Sequence, residues 1–391
     1  MTVRLRLLRR AIWLGVSLCA VAGLPASARA DAGAATRPAP VEVSPWMGVS
    51  ARDREDLDRC VRRGLAWIAT QQRADGSFPT IESGQPAVTA VCVLAFLSAG
   101  HVPGEGRFGD VIDKAIDYAV RCQHPDGLLC LKDASGRMYG NDPPHTAIYN
   151  HAITGLMLSE AYGMAPTSDS QKIRKAIESA LAYTRKRQLA RKRYPDDNGG
   201  WRYVHPWQSS DADLSVTSWQ LMFMRSCRNA GFDVPAEYVD AALAYVRRCH
   251  NADDGTFWYA LRGSERVTTR GMVGAGILSL SLGGRHQTPE ALQSGKWVLA
   301  HPFNRYRAGV TPWDRFFYGA FYCSQAMFQL GGAYWSEFYP TLLHTIVGNQ
   351  RPDGSWDSDN GNDTMFGNTY SSAMAILALT PPYQLLPVFQ R

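Results

Sequence analysis

A chain of 391 residues is long enough for two domains, or for one domain if it is a repeat array that closes on itself. Its formal net charge is +6, but five arginines and no acids lie in residues 1–30, so the remainder carries about +1 (6 − 5). This balance lacks the basic surface that nucleic-acid binding needs, and we expect no nucleic-acid partner.

The N-terminal segment has the pattern of a secretory signal peptide. A basic stretch precedes an apolar run over residues 11–24, and the small residues Ala28 and Ala30 follow at a plausible cleavage site. The run is about 14 residues long, which is short for a bilayer core of about 30 Å. We therefore expect residues 1–30 to be cleaved and residues 31–50 to form a flexible linker. The mature domain, residues 51–391, is then periplasmic or extracellular and has no transmembrane segment.

One motif recurs along the rest of the chain and is best preserved as Gln350-Arg-Pro-Asp-Gly-Ser-Trp356. Weaker copies lie at Gln72–Phe78, Gln123–Leu129, Asn198–Trp201 and His250–Phe257. The fuller copies end an amphipathic helix pattern with a polar residue, turn the chain at a glycine, and bring an aromatic or apolar side chain back to the helix pair. The copy at Asn198 keeps only the turn and the aromatic residue.

The spacing of the turn glycines gives the number of repeats. They are Gly76, Gly127, Gly200, Gly255 and Gly354, so the steps are 51, 73, 55 and 99. The last step is about twice the first, which predicts a copy with an eroded turn near residue 305. Two Arg-Lys-Arg runs after residue 184 explain the long second step; they form either a solvated helix end or a contact to anionic lipid or cell-wall polymer. Six units of two helices each indicate a helical repeat array.

Two kinds of helix alternate in this array. Amphipathic patterns, which we expect to be outer helices, alternate with patterns that are apolar nearly all round, which we expect to be inner helices. The predicted outer helices begin near residue 56 and then cover 111–122, 171–188, 236–249, 290–300 and 338–349. The predicted inner helices cover 88–97, 146–162, 213–227, 268–282, 315–330 and 367–379. The predicted fold class is all-α, a single closed (α/α)6 barrel.

Residues near the N-termini of the inner helices form the candidate site. Because the inner helices run parallel, these ends meet at one mouth although they are far apart in the sequence. We expect ligand contacts there from His145, Tyr149, Arg270, Trp313, Asp314, Tyr318 and Tyr370. For Asp314 and Asp363 an ordinary helix N-cap is the alternative.

Asp211 and Asp213 are the strongest candidates for chemistry. One carboxylate is enough to cap a helix, and two desolvated carboxylates at i and i+2 raise each other's pKa. We expect Asp213 to act as an acid with Asp211 as its partner, and His151 or His145 to act as the orienting or accepting base. Hydrogen bonding within the core is the alternative for His151.

No metal or cofactor motif is present in the sequence. His145 and His151 are six residues apart, a poor spacing for chelation on one helix, and no CxxC pair exists. A phosphate loop and a dinucleotide fingerprint are also absent. Cys122 and Cys130 flank a turn and could be bridged in an exported chain. We therefore expect neither a metal nor a cofactor.

The motif that begins at Gln350, with its Asp-Gly-Ser turn and following aromatic residue, resembles the QW-type repeats of squalene and oxidosqualene cyclases and of protein prenyltransferase β subunits. The resemblance covers about residues 56–380. It implies an α/α toroid with an apolar central cavity that receives isoprenoid chains. The Asp-x-Asp-Asp motif of the cyclases matches Asp211-Ala-Asp213-Leu214 without its third acid, which implies Asp213 as the proton donor.

The preferred interpretation is an exported toroid that binds an apolar small molecule or a polymer in its central cavity, with catalysis and oligomeric state left open. The alternatives are a non-catalytic binding or scaffold protein, and a carbohydrate-active enzyme on the same barrel. Opposed carboxylates across an open groove would favour a glycosidase. A deep aromatic cavity with one buried acid would favour isoprenoid chemistry. A mouth plugged by side chains would favour the scaffold.

Overall fold

The computed structural model describes residues 44–131, 146–164, 170–205, 209–359 and 361–390. Within these ranges the chain forms twelve α-helices that alternate between an outer and an inner ring. The outer ring consists of α1 (Ala51–Thr70), α3 (Gly109–Arg121), α5 (Ser170–Leu189), α7 (Ala236–Arg248), α9 (Pro289–Ala300) and α11 (Gly332–Gly348). The inner ring consists of α2 (Ala87–Ser98), α4 (Ala147–Met164), α6 (Leu214–Asn229), α8 (Arg270–Leu282), α10 (Phe316–Leu330) and α12 (Gly367–Leu379). A short antiparallel hairpin follows α7 and pairs β1 (His250–Asn251) with β2 (Thr256–Phe257).

The inner helices close on themselves. α2 packs against α4, α4 against α6, and the contacts continue through α8, α10 and α12 back to α2. The outer helices pack on the outside of this ring. The all-α closed (α/α)6 barrel predicted from the sequence is therefore confirmed. Among the helices of the described ranges, none combines the length and the apolar character that crossing a membrane requires.

Small residues allow the inner helices to approach closely. A Cβ atom on Gly274 of α8 would lie 2.7 Å from the backbone nitrogen of Cys323 in α10. A Cβ atom on Gly276 would lie 2.4 Å from the ring of Phe257, the aromatic residue of the fourth turn. Glycine at these two positions is therefore a packing requirement of the ring.

In four of the six units, the glutamine of the recurrent motif joins the unit to the next. The side-chain amide of Gln72 donates to the carbonyl of Gly76 in its own turn (3.1 Å) and to the carbonyl of Val111 in α3 (2.7 Å). Gln123 makes the corresponding two bonds to its turn and to α5. Gln188 makes them to its turn and to α7. One side chain thus fixes both the turn and the position of the following outer helix.

The last glutamine closes the ring. Gln350 donates to the carbonyl of Gly354 (2.9 Å) and to the carbonyl of Cys60 in α1 (2.9 Å), so the last unit is bonded to the first. The indole nitrogen of Trp356 then donates to Ile346 in α11 (2.8 Å). The aromatic residue of the motif is fully buried between the outer and inner rings.

The third turn lies one residue before the predicted position. Gly199, and not Gly200, has a positive φ (+89°), and its carbonyl accepts the bond from Gln188 (2.8 Å). A Cβ atom on Gly199 would lie 2.1 Å from the carbonyl oxygen of Ala241, so only glycine fits. Ten residues, 189–198, separate this glutamine from its turn glycine, against three in the copies at Gln72, Gln123 and Gln350. This insertion of seven residues (10 − 3) hides the glutamine in the sequence pattern.

Residues 44–50, which the sequence assigned to a flexible linker, pack on the ring. The indole nitrogen of Trp335 donates to the carbonyl of Pro45 (2.8 Å), and the ring of Trp46 lies 6.1 Å from that of Tyr383. One hydrogen bond and one aromatic contact therefore hold residues 44–50 against α11 and the C-terminal segment. Residues 1–43 lie outside the described residues, so the signal peptide and the rest of the linker stay predictions.

The C-terminal segment crosses the end of the ring where the inner helices finish. Glu160 in α4 accepts hydrogen bonds from the hydroxyl of Ser226 in α6 (2.5 Å) and from the backbone N–H of Val388 (3.4 Å). The side chain of Gln329 in α10 donates to the carbonyl of Phe389 (2.6 Å). Burial raises the pKa of Glu160 to about 7, and the bonds from Ser226 and Val388 only partly oppose this shift.

Replacing Gln72 by alanine should destabilise the fold by about 2 kcal/mol, because two bonds of about 1 kcal/mol each are lost. The adjacent Gln71→Ala is the matched control. The side chain of Gln71 bonds only the neighbouring Thr70, so its loss should change the free energy of unfolding little. Urea unfolding followed by circular dichroism measures both variants. Equal midpoints for the two variants would contradict the bridging role of Gln72.

The buried acid Glu160 should make stability fall as pH rises. Its pKa is about 7 in the fold against an ordinary value of 4.5, so the folded state keeps a proton that the unfolded chain loses in this window. The contribution is on the order of 3 kcal/mol by pH 7, since each pKa unit is worth about 1.36 kcal/mol. Melting temperatures of Glu160→Gln should therefore drop less than those of the wild type between about pH 4.5 and about pH 7. The exposed Glu337→Gln serves as control and should follow the wild type.

Candidate functional site

We call the end of the ring where the six inner helices begin the mouth. A hydrogen-bond chain crosses it from one side to the other. The hydroxyl of Tyr149 in α4 donates to Ser215 in α6 (2.9 Å), and the Ser215 hydroxyl bonds that of Tyr318 in α10 (2.6 Å). α4 and α10 stand opposite each other in the ring, so this chain spans the bore. The indole nitrogen of Trp219 also donates to Tyr318 (3.2 Å).

Below this chain the bore is filled by side chains. The rings of Trp219 and Phe321 are stacked with centroids 5.3 Å apart, and the hydroxyls of Ser218 and Tyr322 are 2.7 Å apart. All four side chains are buried. Among the inner-helix side chains near the mouth, those of Tyr149, Tyr318 and Tyr370 stay partly exposed. A ligand can therefore reach the tyrosines at the mouth but not the bore beneath them.

Asp213 is the N-cap of α6 and lies under the mouth without exposed surface. Its Oδ1 accepts the backbone N–H of Val216 (2.7 Å), and its Oδ2 lies 3.4 Å from Nη1 of Arg202. Burial raises the pKa of Asp213 to about 6, although Arg202 and the Val216 N–H pull it down. The carboxyl group is thus a weak acid that is held in place by the fold.

Arg202 joins Asp213 to a second buried acid and to two tyrosines. Its guanidinium group also forms an ion pair with Glu265. The group lies 4.7 Å from the ring centroid of Tyr203 and 5.5 Å from that of Tyr259. The hydroxyls of these tyrosines are 2.5 Å apart. These partners of Asp213 come from the turns before α6 and α8, so the pattern of the inner helices gave no signal for them.

A second acid with a raised pKa lies on the other side of the mouth. Asp363 precedes α12, the helix opposite α6, and accepts a bond from the hydroxyl of Tyr370 (3.4 Å). Arg315 lies 3.6 Å away. Burial raises the pKa of Asp363 to about 7, while Arg315 opposes the shift. The N-cap of α12 is Phe366, so Asp363 does not have the capping role that the sequence suggested.

Asp211 does not pair with Asp213. Its carboxylate accepts bonds from the backbone N–H (2.6 Å) and Nε (2.9 Å) of Arg193. Burial alone would raise the pKa of Asp211, but the bonds from Arg193 outweigh it and lower the pKa. The expectation that the two carboxyls raise each other's pKa is therefore wrong, because Asp211 is neutralised by an arginine of the inserted segment.

His151 lies in the wall between the two rings and not at the mouth. Its Nδ1 accepts the backbone N–H of Leu129 (3.2 Å), and its Nε2 lies 2.9 Å from the hydroxyl of Thr184. Burial lowers the pKa of His151 to about 3, so the ring is neutral. Both ring nitrogens are used by the core, which rules against the predicted role as a catalytic base. His145, the alternative base, lies outside the described residues.

Arg270 and Asp314 form a buried ion pair that replaces the eroded fifth turn. Nε of Arg270 lies 2.7 Å from Asp314, whose other oxygen caps the first N–H of α8. The guanidinium group packs on the ring of Phe303 at 3.9 Å and donates to two backbone carbonyls. Arg270 and Asp314 are therefore saturated and unavailable to a ligand. Trp313, their neighbour, is 61% exposed.

The described residues offer no cluster of three His, Cys, Asp or Glu side chains that could hold a metal ion. Cys122 and Cys130 are not bonded to each other, so the disulfide that the sequence left open is not formed. Of the predicted site residues, the structure brings together Asp213, Tyr149, Tyr318 and Tyr370.

No protein family model matches this chain, and no curated protein matches it. Its fold is similar to solved structures of two kinds of enzyme. A variant of the type II terpene cyclase MstE from Scytonema, in complex with the substrate geranylgeranyl dihydroxybenzoate, has a TM-score of 0.56 at 15% identity, covering 86% of this chain and 99% of that chain.

The second kind is the family 76 glycoside hydrolases. An α-mannanase from Bacteroides thetaiotaomicron has a TM-score of 0.56 at 15% identity, covering 86% of this chain and 98% of that chain. An inactive variant of an α-1,6-mannanase from Salegentibacter, in complex with α-1,6-mannotetrose, has a TM-score of 0.58 at 11% identity, covering 84% and 99%. At these identities the likeness shows the α/α toroid fold, which the sequence resemblance implied.

Replacing Arg202 by alanine should cost about 3–5 kcal/mol, because it leaves two buried carboxyl groups without their cation. Arg193→Ala is the matched control: it removes an arginine from the partly exposed pair with Asp211 and should cost about 1 kcal/mol or less. Urea midpoints of the two variants measure the difference. If the urea midpoint of Arg202→Ala falls no further than that of Arg193→Ala, the result contradicts a stabilising role for the buried ion network.

Proposed function

We propose that this protein binds a hydroxylated ligand, an oligosaccharide, at the mouth of the toroid. The observation that carries this proposal is the chain of hydroxyls from Tyr149 through Ser215 to Tyr318, which crosses the bore at the first turns of the inner helices. It offers partly exposed aromatic rings with fixed hydroxyl groups, and it closes the bore below.

A tyrosine-lined mouth suits a sugar better than a hydrocarbon. Tyrosine combines an apolar ring face with a hydroxyl that donates and accepts hydrogen bonds. A sugar ring has the complementary surface, with C–H groups on its faces and hydroxyls at its edges. Trp313, exposed in the loop that leads into α10, adds a further aromatic surface at this end of the ring. Both Asp363 and Arg315 are partly exposed and can bond sugar hydroxyls.

An isoprenoid in the central cavity is the second candidate. The QW-type repeats and the terpene cyclase neighbour favour it, since that enzyme was solved with a geranylgeranyl substrate. A long hydrocarbon chain needs a deep apolar cavity, however, and here Trp219, Phe321 and Tyr322 occupy the bore. The observed packing therefore favours a ligand at the mouth over a chain inside the ring.

Binding, and not catalysis, is the activity that we propose. Asp213 remains the best candidate acid, but it has no exposed surface, and its two oxygens bond the Val216 N–H and Arg202. We assign Asp213 a supporting role, in which it holds Arg202 beneath Tyr203 and Tyr259. Export to the periplasm or the cell exterior is part of this proposal and rests on the pattern of residues 1–30.

Calorimetric titration with short neutral oligosaccharides, α-1,6-mannotetraose among them, tests the proposal. Tyr318→Phe should weaken binding about tenfold, the equivalent of one hydrogen bond of about 1.4 kcal/mol. Tyr322→Phe is the matched control, because Tyr322 is buried below the mouth and should leave the affinity unchanged. Geranylgeraniol is the probe for the second candidate. Tight binding of geranylgeraniol with no saccharide binding would overturn the proposal in favour of the isoprenoid.

A further inference from the structure

A separate cavity lies beside the mouth, between the turns of the third and fourth units. Its volume is about 310 Å³. The lining residues combine three arginines, one acid, one tryptophan and one leucine, namely Arg248, Arg262, Arg266, Asp196, Trp258 and Leu261. The three arginines belong neither to the glutamine contacts that join the units nor to the hydroxyl chain at the mouth.

The cavity has an excess of positive charge. Arg262 is neutralised by Asp196 (3.1 Å) and by the buried Asp197 (2.8 Å). Within the part of the chain that the structure describes, Arg248 and Arg266 form no ion pair with a carboxylate. Three guanidinium groups and two carboxylates therefore lie at this cavity, a net charge of +1 (3 − 2), and two of the three arginines are outside the ion pairs.

Both of these arginines are held in position by neutral contacts. Arg248 donates to the carbonyls of Asp196 (2.9 Å) and Asn198 (2.5 Å). Arg266 donates through Nε to the carbonyl of Leu261 (2.9 Å) and stacks on the ring of Trp258 at 4.4 Å. Carbonyl oxygens and an indole ring orient a guanidinium group but do not cancel its charge. Such a fixed fork of N–H donors matches the oxygens of a carboxylate, sulfate or phosphate group.

We infer that this cavity is an oxyanion-binding site. The position of the cavity also indicates the molecule that carries the oxyanion. Trp258 lines the cavity, and its neighbour Tyr259 bonds Tyr203, whose ring lies 6.4 Å from that of Tyr149 at the mouth. An acidic saccharide that occupies the mouth can extend its carboxylate or sulfate group into the cavity. This second step rests on the proposed function; the binding of an oxyanion does not.

Titration of the full chain with inorganic phosphate and with sulfate at low ionic strength tests the site itself. Arg266→Ala removes an exposed side chain and should weaken anion binding about tenfold, as should Arg248→Gln. The exposed Arg225 of α6 lies outside the cavity, and Arg225→Ala should bind like the wild type. Absence of anion binding by the wild type, or equal weakening in all three variants, would overturn the site.

Paired neutral and acidic oligosaccharides of equal length test the link to the mouth. We expect the acidic sugar to bind about tenfold more tightly, and Arg266→Ala to abolish this difference while leaving the neutral sugar unaffected. If the wild type binds phosphate but shows no preference for the acidic sugar, the link is overturned and the site serves a free oxyanion. If phosphate binds but neither sugar does, the proposed function fails and the oxyanion site stands.

Discussion

A side-chain amide that bonds two carbonyl oxygens at once holds this ring together. A glutamine amide carries two N–H donors, and Gln72, Gln123, Gln188 and Gln350 each use them for a turn glycine and for the next outer helix. Each bond of this kind fixes where the following unit begins. Four of the six units repeat this contact, which sets the position of each following outer helix and so contributes to the regular ring in which the inner helices begin at a common mouth.

Closure of the ring brings polar groups into its centre, where they must find partners. The hydroxyls of Tyr149, Ser215 and Tyr318 satisfy one another, and Arg202 is held by the acids on either side of it. Removing one member of such a network leaves the others desolvated and unpaired, so its members depend on each other. Tyr149 and Tyr318 of this network are also partly exposed, so the stability of the ring and the proposed ligand surface at the mouth depend on the same residues.

The ring and the tyrosines of the mouth could be predicted from the sequence, because both follow from local patterns. A residue in the first turn of an inner helix, such as Tyr149 or Tyr318, lies at the mouth because of its position in the helix, independently of its contacts with other segments. The roles of Asp211, His151 and Arg270 could not be predicted, since each depends on a partner from a distant or irregular segment. Those partners are an arginine of an insertion, a backbone N–H of the second turn, and a phenylalanine of the eroded fifth turn.

The bond from Gln350 to Cys60 has one further consequence. It makes the first and last units neighbours, and the contacts of Tyr383 with Trp46 and Asp58 bring residues near the start of α1 and residues after α12 to the same part of the surface. A ring of six similar units has no structural beginning. The ring therefore does not require the chain to start at α1. A circularly permuted chain that starts at another outer helix would retain every turn-to-helix bond except those at the new cut.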